Sequence, residues 1–256
     1  TYTVVSTMKN EGPYIIDWVA HYRTLGFDNI LVCTNDCTDP TVDILRRLQE
    51  LGLVTQHNTI VRKAGIHRSA LRQASRRYDI VLNATWVFVC DVDEYLNVHL
   101  GDGSVQALID GPGADADVIS VPWRIFGPDG IEDMVDTPVT EQFTKGEFEW
   151  DGEKRPQTGK FVKSLYTNQH KFQRMGLHAP ITLPDHVSDT KRVLPGGADY
   201  VVDGVRTENP PLFTHAQVNH YALRSMDSFL VKRARGRANH SHHVLGLDYW
   251  TKFNLN

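Results

Sequence analysis

The sequence predicts an α/β fold with a mostly parallel central sheet, flanking helices and an irregular C-terminal half. Strand-like and helix-like segments alternate up to residue 100, at the spacing of βαβ units. The strand-like segments are continuous apolar runs, which are typical of strands covered on both faces. After residue 100 the alternation loosens, but no repeat or low-complexity tract divides the chain. We therefore expect a single domain over residues 1–256.

The first half of the chain repeats a strand followed by a helix and closes on a further strand. Strands are predicted at 2–7, 29–34, 53–56 and 86–90, and helices at 13–26, 40–52 and 66–78. Pro13 suits the first position of a helix and Gly26 suits a helix end. The second half has strand-like segments at 118–123, 160–167 and 211–223, and a final helix at 225–235. Sheets of this kind bind ligands beyond the carboxyl ends of their strands, so a site is expected there.

Charge, cysteine content and hydropathy exclude several classes of protein. The formal net charge is −4 at pH 7, so the chain lacks the basic field of a protein that binds nucleic acid. Its three cysteines are too few for a disulfide framework, which favours a reducing compartment. No run approaches the ~18 apolar residues of a membrane span, and no signal peptide is visible. We expect a cytoplasmic protein with at most peripheral attachment to a membrane.

Three acidic residues interrupt a strongly apolar segment, VFVCDVDEYLNV at 87–98. Bare carboxylates are costly in a core, so Asp91, Asp93 and Glu94 should leave it at the end of the predicted strand. Residues i and i+2 of an extended chain point to the same side, so Asp91 and Asp93 can converge on a divalent cation. Such cations often share oxygen ligands with substrate phosphates. The pattern favours a site for a cation and a diphosphate, against the alternative of a solvated turn with capping acids.

Further segments stand in order along nearly the whole chain. With the acidic segment they are TMKNEGPYIIDWVAHYRTLG, NDCTDPT, FVCDVDEYL, VPWRIFG, GLHAP and VNHYALRSMDSFLVKRARG. Together they resemble the glycosyltransferase family 2-like group with the GT-A, Rossmann-like fold. The resemblance implies a hexosyltransferase-like enzyme that moves a sugar, with inversion, from a UDP- or GDP-linked donor to a hydroxyl of a glycan or lipid-linked acceptor. It implies Mn²⁺ or Mg²⁺ as cofactor, bacterial polysaccharide biosynthesis as the setting, a nucleotide-binding half at 1–100 and an acceptor-binding half at 101–256.

By the same resemblance, the ends of the first strands and the last helix hold the nucleotide sugar. The residues implied are Thr7, Asn10, Glu11, Asp36, Lys63, His67, Asp91, Lys232 and Arg235. Amide and carboxylate groups can bind a base edge or ribose hydroxyls, and the two cations of the last helix can neutralise the leaving diphosphate. The alternatives are structural: an Asn-Glu-Gly turn that leads into a helix, and a basic helix end favoured by the helix dipole.

The resemblance also implies metal ligands, acceptor contacts and a base. Asp91, Asp93 and His220 are the implied metal ligands, because relatives of this fold take a ligand from the C-terminal part and imidazole binds manganese. The alternative for His220 is a packed core histidine. The implied acceptor residues are Trp123, Arg124, Phe126 and His178. An inverting enzyme needs a carboxylate base on the acceptor side, and Glu132 or Asp133 of the polar excursion is our choice.

Three other interpretations stay open. A sugar nucleotidyltransferase can share this sheet, but it usually carries a Gly-rich basic loop after the first strand, where this chain has TMKNEG at 7–12. A calcium-dependent carbohydrate-binding module would use the acids for structural calcium, although calcium loops usually supply more oxygen ligands than DVDE does. A transferase that binds its donor without turnover is the third. Nucleotide binding separates the enzymes from the calcium module.

Overall fold

The computed structural model describes residues 1–111, 114–149, 152–153, 158–168, 170–198, 212–235 and 246–254. The strands in these residues are β1 Tyr2–Met8, β2 Asn29–Thr34, β3 Thr55–Asn58, β4 Trp86–Val89, β5 Glu94–Val98, β6 Val118–Ile125, β7 Val162–Thr167, β8 Phe172–Arg174, β9 Ile181–Thr182, β10 Arg192–Val193 and β11 Ala216–His220. The α-helices are α1 Ile15–Thr24, α2 Thr41–Glu50, α3 Ile66–Arg77, α4 Asp79–Leu82, α5 Val105–Asp110, α6 Val139–Gln142, α7 Met226–Arg235 and α8 Leu247–Phe253. No helix among the described residues is both long and apolar enough to cross a bilayer.

The central sheet has the order β3-β2-β1-β4-β7-β6-β11-β5, and β10 pairs with β6. Five pairings of this sheet are parallel and three are antiparallel within the described residues. Strands β8 and β9 form a separate antiparallel pair. The predicted α/β fold with a mostly parallel sheet is confirmed, and its strands come from both halves of the sequence.

Both faces of the sheet are covered, which explains the continuous apolar runs. Val4 and Val5 are adjacent in β1 and point to opposite faces, yet both are fully buried. Val4 belongs to the apolar cluster that contains Trp18 of α1. Val5 belongs to a second cluster, on the side of Leu71 from α3. An exposed face would have required polar residues at alternate positions.

The strand directions bring several loop segments to one edge of the sheet. Strands β1, β2, β4, β6 and β11 end at this edge, because β1, β2 and β4 are mutually parallel and the antiparallel β7 lies between β4 and β6. Strand β7 therefore begins there, with Val162 and Lys163. The last two helices pack onto the end of β6, where Ile125 forms a cluster with Phe229 of α7 and Phe253 of α8. This packing places one flank of α7 beside the carboxyl edge.

Candidate active site

Asp93 lies at the carboxyl edge between two nitrogen groups. Lys232 Nζ of α7 donates to Asp93 Oδ2 over 2.7 Å and to the carbonyl oxygen of Ala222 over 2.8 Å. His220 Nε2, at the end of β11, is 3.7 Å from the same carboxylate oxygen. Burial opposes the ionisation of Asp93, but Lys232 and His220 outweigh it and hold its pKa well below its usual range. Asp93 is therefore a carboxylate at neutral pH.

Asp91 is paired with a different lysine. Lys163 Nζ is 3.1 Å from Asp91 Oδ2 and 3.0 Å from Glu94 Oε2. The side chains of Lys163 and Glu94 are 0% exposed, whereas that of Asp91 is 37% exposed. The prediction that Asp91 to Asp93 are extended is wrong. Residues 91–94 form a turn, in which Glu94 N donates to the carbonyl oxygen of Asp91 over 3.1 Å. The two aspartates are thus held by separate cations.

Glu94 shares the positive charge of Lys163 with Asp91. Burial, together with the nearby aspartates, raises the pKa of Glu94 to about 8, although Lys163 opposes the shift. Glu94 Oε2 also accepts a hydrogen bond from Asp91 N over 2.7 Å. Burial alone would lower the pKa of Lys163, but Asp91 and Glu94 raise it above its ordinary value. The buried lysine therefore stays charged and fixes the turn.

A wall of aromatic rings stands next to Asp93. The ring of Trp123 lies 4.3 Å from that of His220 and 5.3 Å from those of His178 and Phe161, measured between centroids. Nδ1 of His178 donates to the carbonyl oxygen of Val162 over 2.9 Å. Burial, with a contribution from Lys163, lowers the pKa of His178 to about 4, so the imidazole is neutral at pH 7.

Two polar atoms of this wall have no hydrogen-bond partner among the residues that the structure describes. Trp123 Nε1 and His220 Nδ1 are buried, and neither has a partner within the described residues. Unpaired buried polar groups are costly, so each calls for an explanation such as a bound water, an ion or a ligand. A polar ligand at the wall formed by Trp123, His178 and His220 would give these two atoms hydrogen-bond partners.

The other two predicted acceptor residues lie elsewhere. Successive residues of a strand point to opposite faces, so Arg124 points away from the wall that contains Trp123. Arg124 donates to the carbonyl oxygen of Glu147 over 2.8 Å and to Gln217 Oε1 over 3.2 Å. Phe126 packs against the ring of Tyr221 in the main core, with centroids 5.1 Å apart. The structure therefore does not bring Arg124 and Phe126 to the wall.

The loops after β1 and β2 are tied to each other. Asn10 Nδ2 donates to Thr38 Oγ1 over 2.9 Å, and Thr38 N donates to Asn10 Oδ1 over 2.7 Å. Asn10 and Asp36 have positive φ angles of 53° and 46°, which asparagine and aspartate tolerate better than most residues. At the end of β1, Thr7 Oγ1 lies 2.8 Å from His67 Nδ1 of α3. Four of the predicted nucleotide residues thus lie at the end of β1, on the two neighbouring loops and at the start of α3.

Arg224 links the first loop to the acidic turn, a role that the sequence did not indicate. Its guanidinium lies 3.5 Å from the centroid of the Tyr14 ring, and Nη1 is 3.6 Å from Glu11 Oε2. Its Nη2 donates to the carbonyl oxygen of Val92 over 2.9 Å, between the two aspartates. A cavity of about 40 Å³ is lined by Asn10, Glu11, Tyr14, Arg224 and Lys232, among others. Arg224 therefore fixes Glu11 and the acidic turn relative to each other.

The remaining predicted residues lie at the surface or outside the described part. Lys63 is exposed ahead of α3. Glu132 and Asp133 are exposed on a segment that lies against the start of α7, where Asp227 N donates to the carbonyl oxygen of Glu132. Among the described residues, no hydrogen bond or ion pair joins either carboxylate to Asp93. The side chain of Arg235 is outside the described residues.

The described protein groups near Asp93 do not complete a metal shell by themselves. In the part of the chain that the structure describes, no three His, Cys, Asp or Glu side chains are grouped to hold a metal ion. Asp93 and His220 nevertheless place a carboxylate and an imidazole 3.7 Å apart. A divalent cation at such a site usually keeps several ligands from substrate phosphates. The donor set thus fits a cation that shares its ligands with a phosphate group, not one held by protein alone.

Comparison with known proteins identifies the family. The model of glycosyltransferase family 92 matches residues 4–232. The chain belongs to glycosyltransferase family 92. This match confirms the interpretation of the chain as a glycosyltransferase domain, but the family is 92 and not the family 2-like group that the sequence segments resemble. The comparison with curated protein sequences finds no match.

Solved structures show a more distant similarity. S. aureus TarS 1–349 in complex with UDP aligns with a TM-score of 0.41 at 15% identity, over 66% of this chain and 47% of TarS 1–349. The complex with UDP-GlcNAc aligns with a TM-score of 0.40 at 14% identity, over 66% of this chain and 45% of that one. HddC from Yersinia pseudotuberculosis aligns with a TM-score of 0.38 at 12% identity, over 76% of this chain and 91% of HddC. The chain thus spans less than half the length of these TarS structures.

Proposed function

We propose that this family 92 domain transfers a sugar from a UDP- or GDP-linked donor to a hydroxyl of a glycan or lipid-linked acceptor, with inversion. The observation that carries the proposal is the position of Asp93. It lies between Lys232 and His220, at the sheet edge where ligands of such folds bind. A carboxylate, an ammonium and an imidazole at one point suit a diphosphate and its counter-ion.

The nucleoside part of the donor is assigned to the loops after β1 and β2. Asn10 and Asp36 are held in left-handed conformations by short loops, and Thr7 faces His67. Asp36 is exposed and supplies acceptor oxygens, which suit ribose hydroxyls or the N–H groups of a base. Lys63 and Glu11 complete this proposed surface. The donor diphosphate would then extend along the edge towards Asp93.

A divalent cation, Mn²⁺ or Mg²⁺, is assigned to Asp93 and His220, with Asp91 contributing directly or through water. The donor phosphates would supply the remaining ligands, since the described residues contain no third protein ligand in place. When bound, the ion supplies neutralisation of the leaving diphosphate. Lys232 would then transfer its hydrogen bond from Asp93 to a phosphate oxygen, and Arg235 is proposed as a second cation.

The acceptor sugar is assigned to the wall next to Asp93. Trp123 offers an apolar ring face and an unpaired Nε1–H, and the neutral His178 offers Nε2 as an acceptor. The attacking hydroxyl must lose a proton to a carboxylate on this side. Glu132 and Asp133 remain the proposed bases, because both are exposed on a segment that lies against the start of α7, the helix that carries Lys232.

Loss of the catalytic base should slow sugar transfer without weakening the binding of the donor nucleotide. Replacing the true base in Glu132→Gln or Asp133→Asn should lower the rate of transfer by about 10²-fold or more, while the affinity for the donor nucleotide stays within about twofold. The two variants are each other's control, because they differ by one position on the same exposed segment. Equal, near-complete activity of both would show that neither carboxylate is the base.

The experiment that tests the proposed function is a transfer and hydrolysis assay. The purified chain is incubated with a panel of UDP- and GDP-sugars in Mn²⁺ or Mg²⁺, and release of free UDP or GDP is followed. Release of one nucleotide, lost in Asp93→Asn, is the expected result. Formation of a nucleotide sugar from a nucleoside triphosphate and a sugar phosphate would identify a nucleotidyltransferase instead. Sugar binding without any nucleotide binding would favour the carbohydrate-binding module.

A further inference from the structure

A large basic cleft lies beside the candidate active site. It has a volume of about 700 Å³ and runs between α3 and the segment 173–181, which contains parts of β8 and β9. Four arginines line it: Arg68, Arg72 and Arg76 from α3 and Arg174 from β8. None of the described residues that line the cleft is acidic. His178 lines one part of the cleft and also belongs to the wall that contains Trp123. His178 therefore places part of the cleft next to the proposed acceptor side.

The three arginines of α3 form one ridge. Positions 68, 72 and 76 are four residues apart, which places them on one helix face at steps of about 6 Å. Like charges at this spacing destabilise a helix. Residues 66–77 contain no Asp or Glu that could offset them. Across the described residues, no carboxylate lies within ion-pair distance of Arg68, Arg72, Arg76 or Arg174.

Helix α2 shows that exposed arginines in this chain can be paired. Arg46 Nη1 lies 3.0 Å from Asp43 Oδ1, and Arg47 Nη1 lies 2.7 Å from Glu50 Oε2. These are ordinary surface pairs that stabilise a helix slightly. Among the described residues, the arginine ridge of α3 has no such partners, and its exposed side chains line a concave space. An anion that enters the cleft would remove the repulsion within the ridge.

The geometry points to a phosphate-bearing acceptor as the ligand. We infer that the cleft binds one or more phosphate groups of the acceptor, either a glycan phosphate or a lipid phosphate. Arginine binds phosphate through paired, charge-assisted hydrogen bonds, and a ridge of three spans about 12 Å. Leu71, Leu177 and Ile181 add apolar contacts that suit the carbon skeleton between phosphates. The inference rests on the proposed transferase function and specifies the class of its acceptor.

The test measures the binding of inorganic pyrophosphate by calorimetry with UDP and GDP both present to fill the donor site. Wild type is compared with Arg72→Gln/Arg76→Gln and with the control Arg46→Gln/Arg47→Gln, which removes the same charge from α2. The four replaced residues, Arg46, Arg47, Arg72 and Arg76, are all exposed, so the variants should fold. The expected result is that the α3 variant loses roughly tenfold or more in affinity, because each lost contact is a charge-assisted hydrogen bond, while the control is unchanged. Equal affinities in the two variants, or no binding once the nucleotides are present, would overturn the inference.

A second measurement separates the two sources of phosphate. Phosphatidylcholine vesicles with and without phosphatidic acid are sedimented with the same three proteins. Binding that requires phosphatidic acid and is lost only in the α3 variant assigns the cleft to a lipid phosphate. Pyrophosphate binding without vesicle binding assigns it to a glycan phosphate. Titration with UDP and GDP alone is run in parallel, so failure of donor binding, which contradicts the proposed function, is distinguished from failure of the cleft.

Discussion

Lys163→Met is expected to lower the free energy of unfolding by about 3–5 kcal/mol, the usual cost of leaving a buried charge without its partner. Lys163 is completely buried and is the direct cation for both Asp91 and Glu94. Methionine has a similar length but cannot offset either carboxylate. Glu94 is also completely buried and its pKa is already raised to about 8, so in the variant it takes up a proton, and the charge left without its cation is that of Asp91. Urea unfolding followed by circular dichroism measures the loss as a shift of the midpoint at constant slope.

Two further variants make this prediction specific. Arg47→Met breaks an exposed ion pair with Glu50 and should cost only about 0–1 kcal/mol. Lys163→Met combined with Asp91→Asn removes the uncompensated charge together with the lysine, so it should recover part of the lost stability. If Lys163→Met costs no more than Arg47→Met, the buried lysine does not hold the acidic turn.

Lys232→Met is expected to lower the rate of sugar transfer by about 10²-fold, the usual effect of removing one preorganised group that stabilises developing charge. Lys232 Nζ contacts Asp93 Oδ2 and the carbonyl oxygen of Ala222, so the ammonium is fixed at the point where the leaving diphosphate is proposed to lie. Because the loss concerns the transition state, kcat should fall more than KM rises. Steady-state release of the donor nucleotide measures both constants.

The neighbouring Arg233 provides the matched control for this variant. It follows Lys232 on α7, is exposed, and makes no described contact with the acidic turn. Arg233→Met should therefore retain most of the activity, and Lys232→Arg should recover part of it because the cation is restored. Equal losses in Lys232→Met and Arg233→Met would mean that the charge of the helix, not the position of Lys232, is what matters.

The first half of the fold could be predicted because its signals are local. Continuous apolar runs indicate β1 and β2, and Pro13 and Gly26 mark the first helix. The third strand was predicted at 53–56 but lies at Thr55–Asn58, because pairing with Leu31–Thr34 defines it and the apolar Leu53 and Val54 do not. Apolar content indicates burial, whereas a strand is defined by its partner.

The site could be predicted only where its residues follow a strand in the sequence. The acidic turn has a clear local signal, but Lys163 does not, since it is one polar position in a strand and its partner Asp91 is 72 residues away. Arg224 is similarly hidden, because its pairing with Glu11 depends on how β11 returns to the sheet. Strand β5 was also missed, since it pairs with β11 far along the chain. Long-range partners are decided by topology, which no single segment encodes.

The central claim is that Asp93 organises a site for a nucleotide diphosphate and a divalent cation. The most direct test is calorimetric titration with UDP and GDP, with and without Mn²⁺, for wild type, Asp93→Asn and the control Asp43→Asn from the exposed face of α2. The account predicts Mn²⁺-dependent binding of one nucleotide, weakened at least about tenfold in Asp93→Asn and unchanged in Asp43→Asn. Folded protein that binds neither nucleotide, or binds one equally well in all three forms, would contradict it.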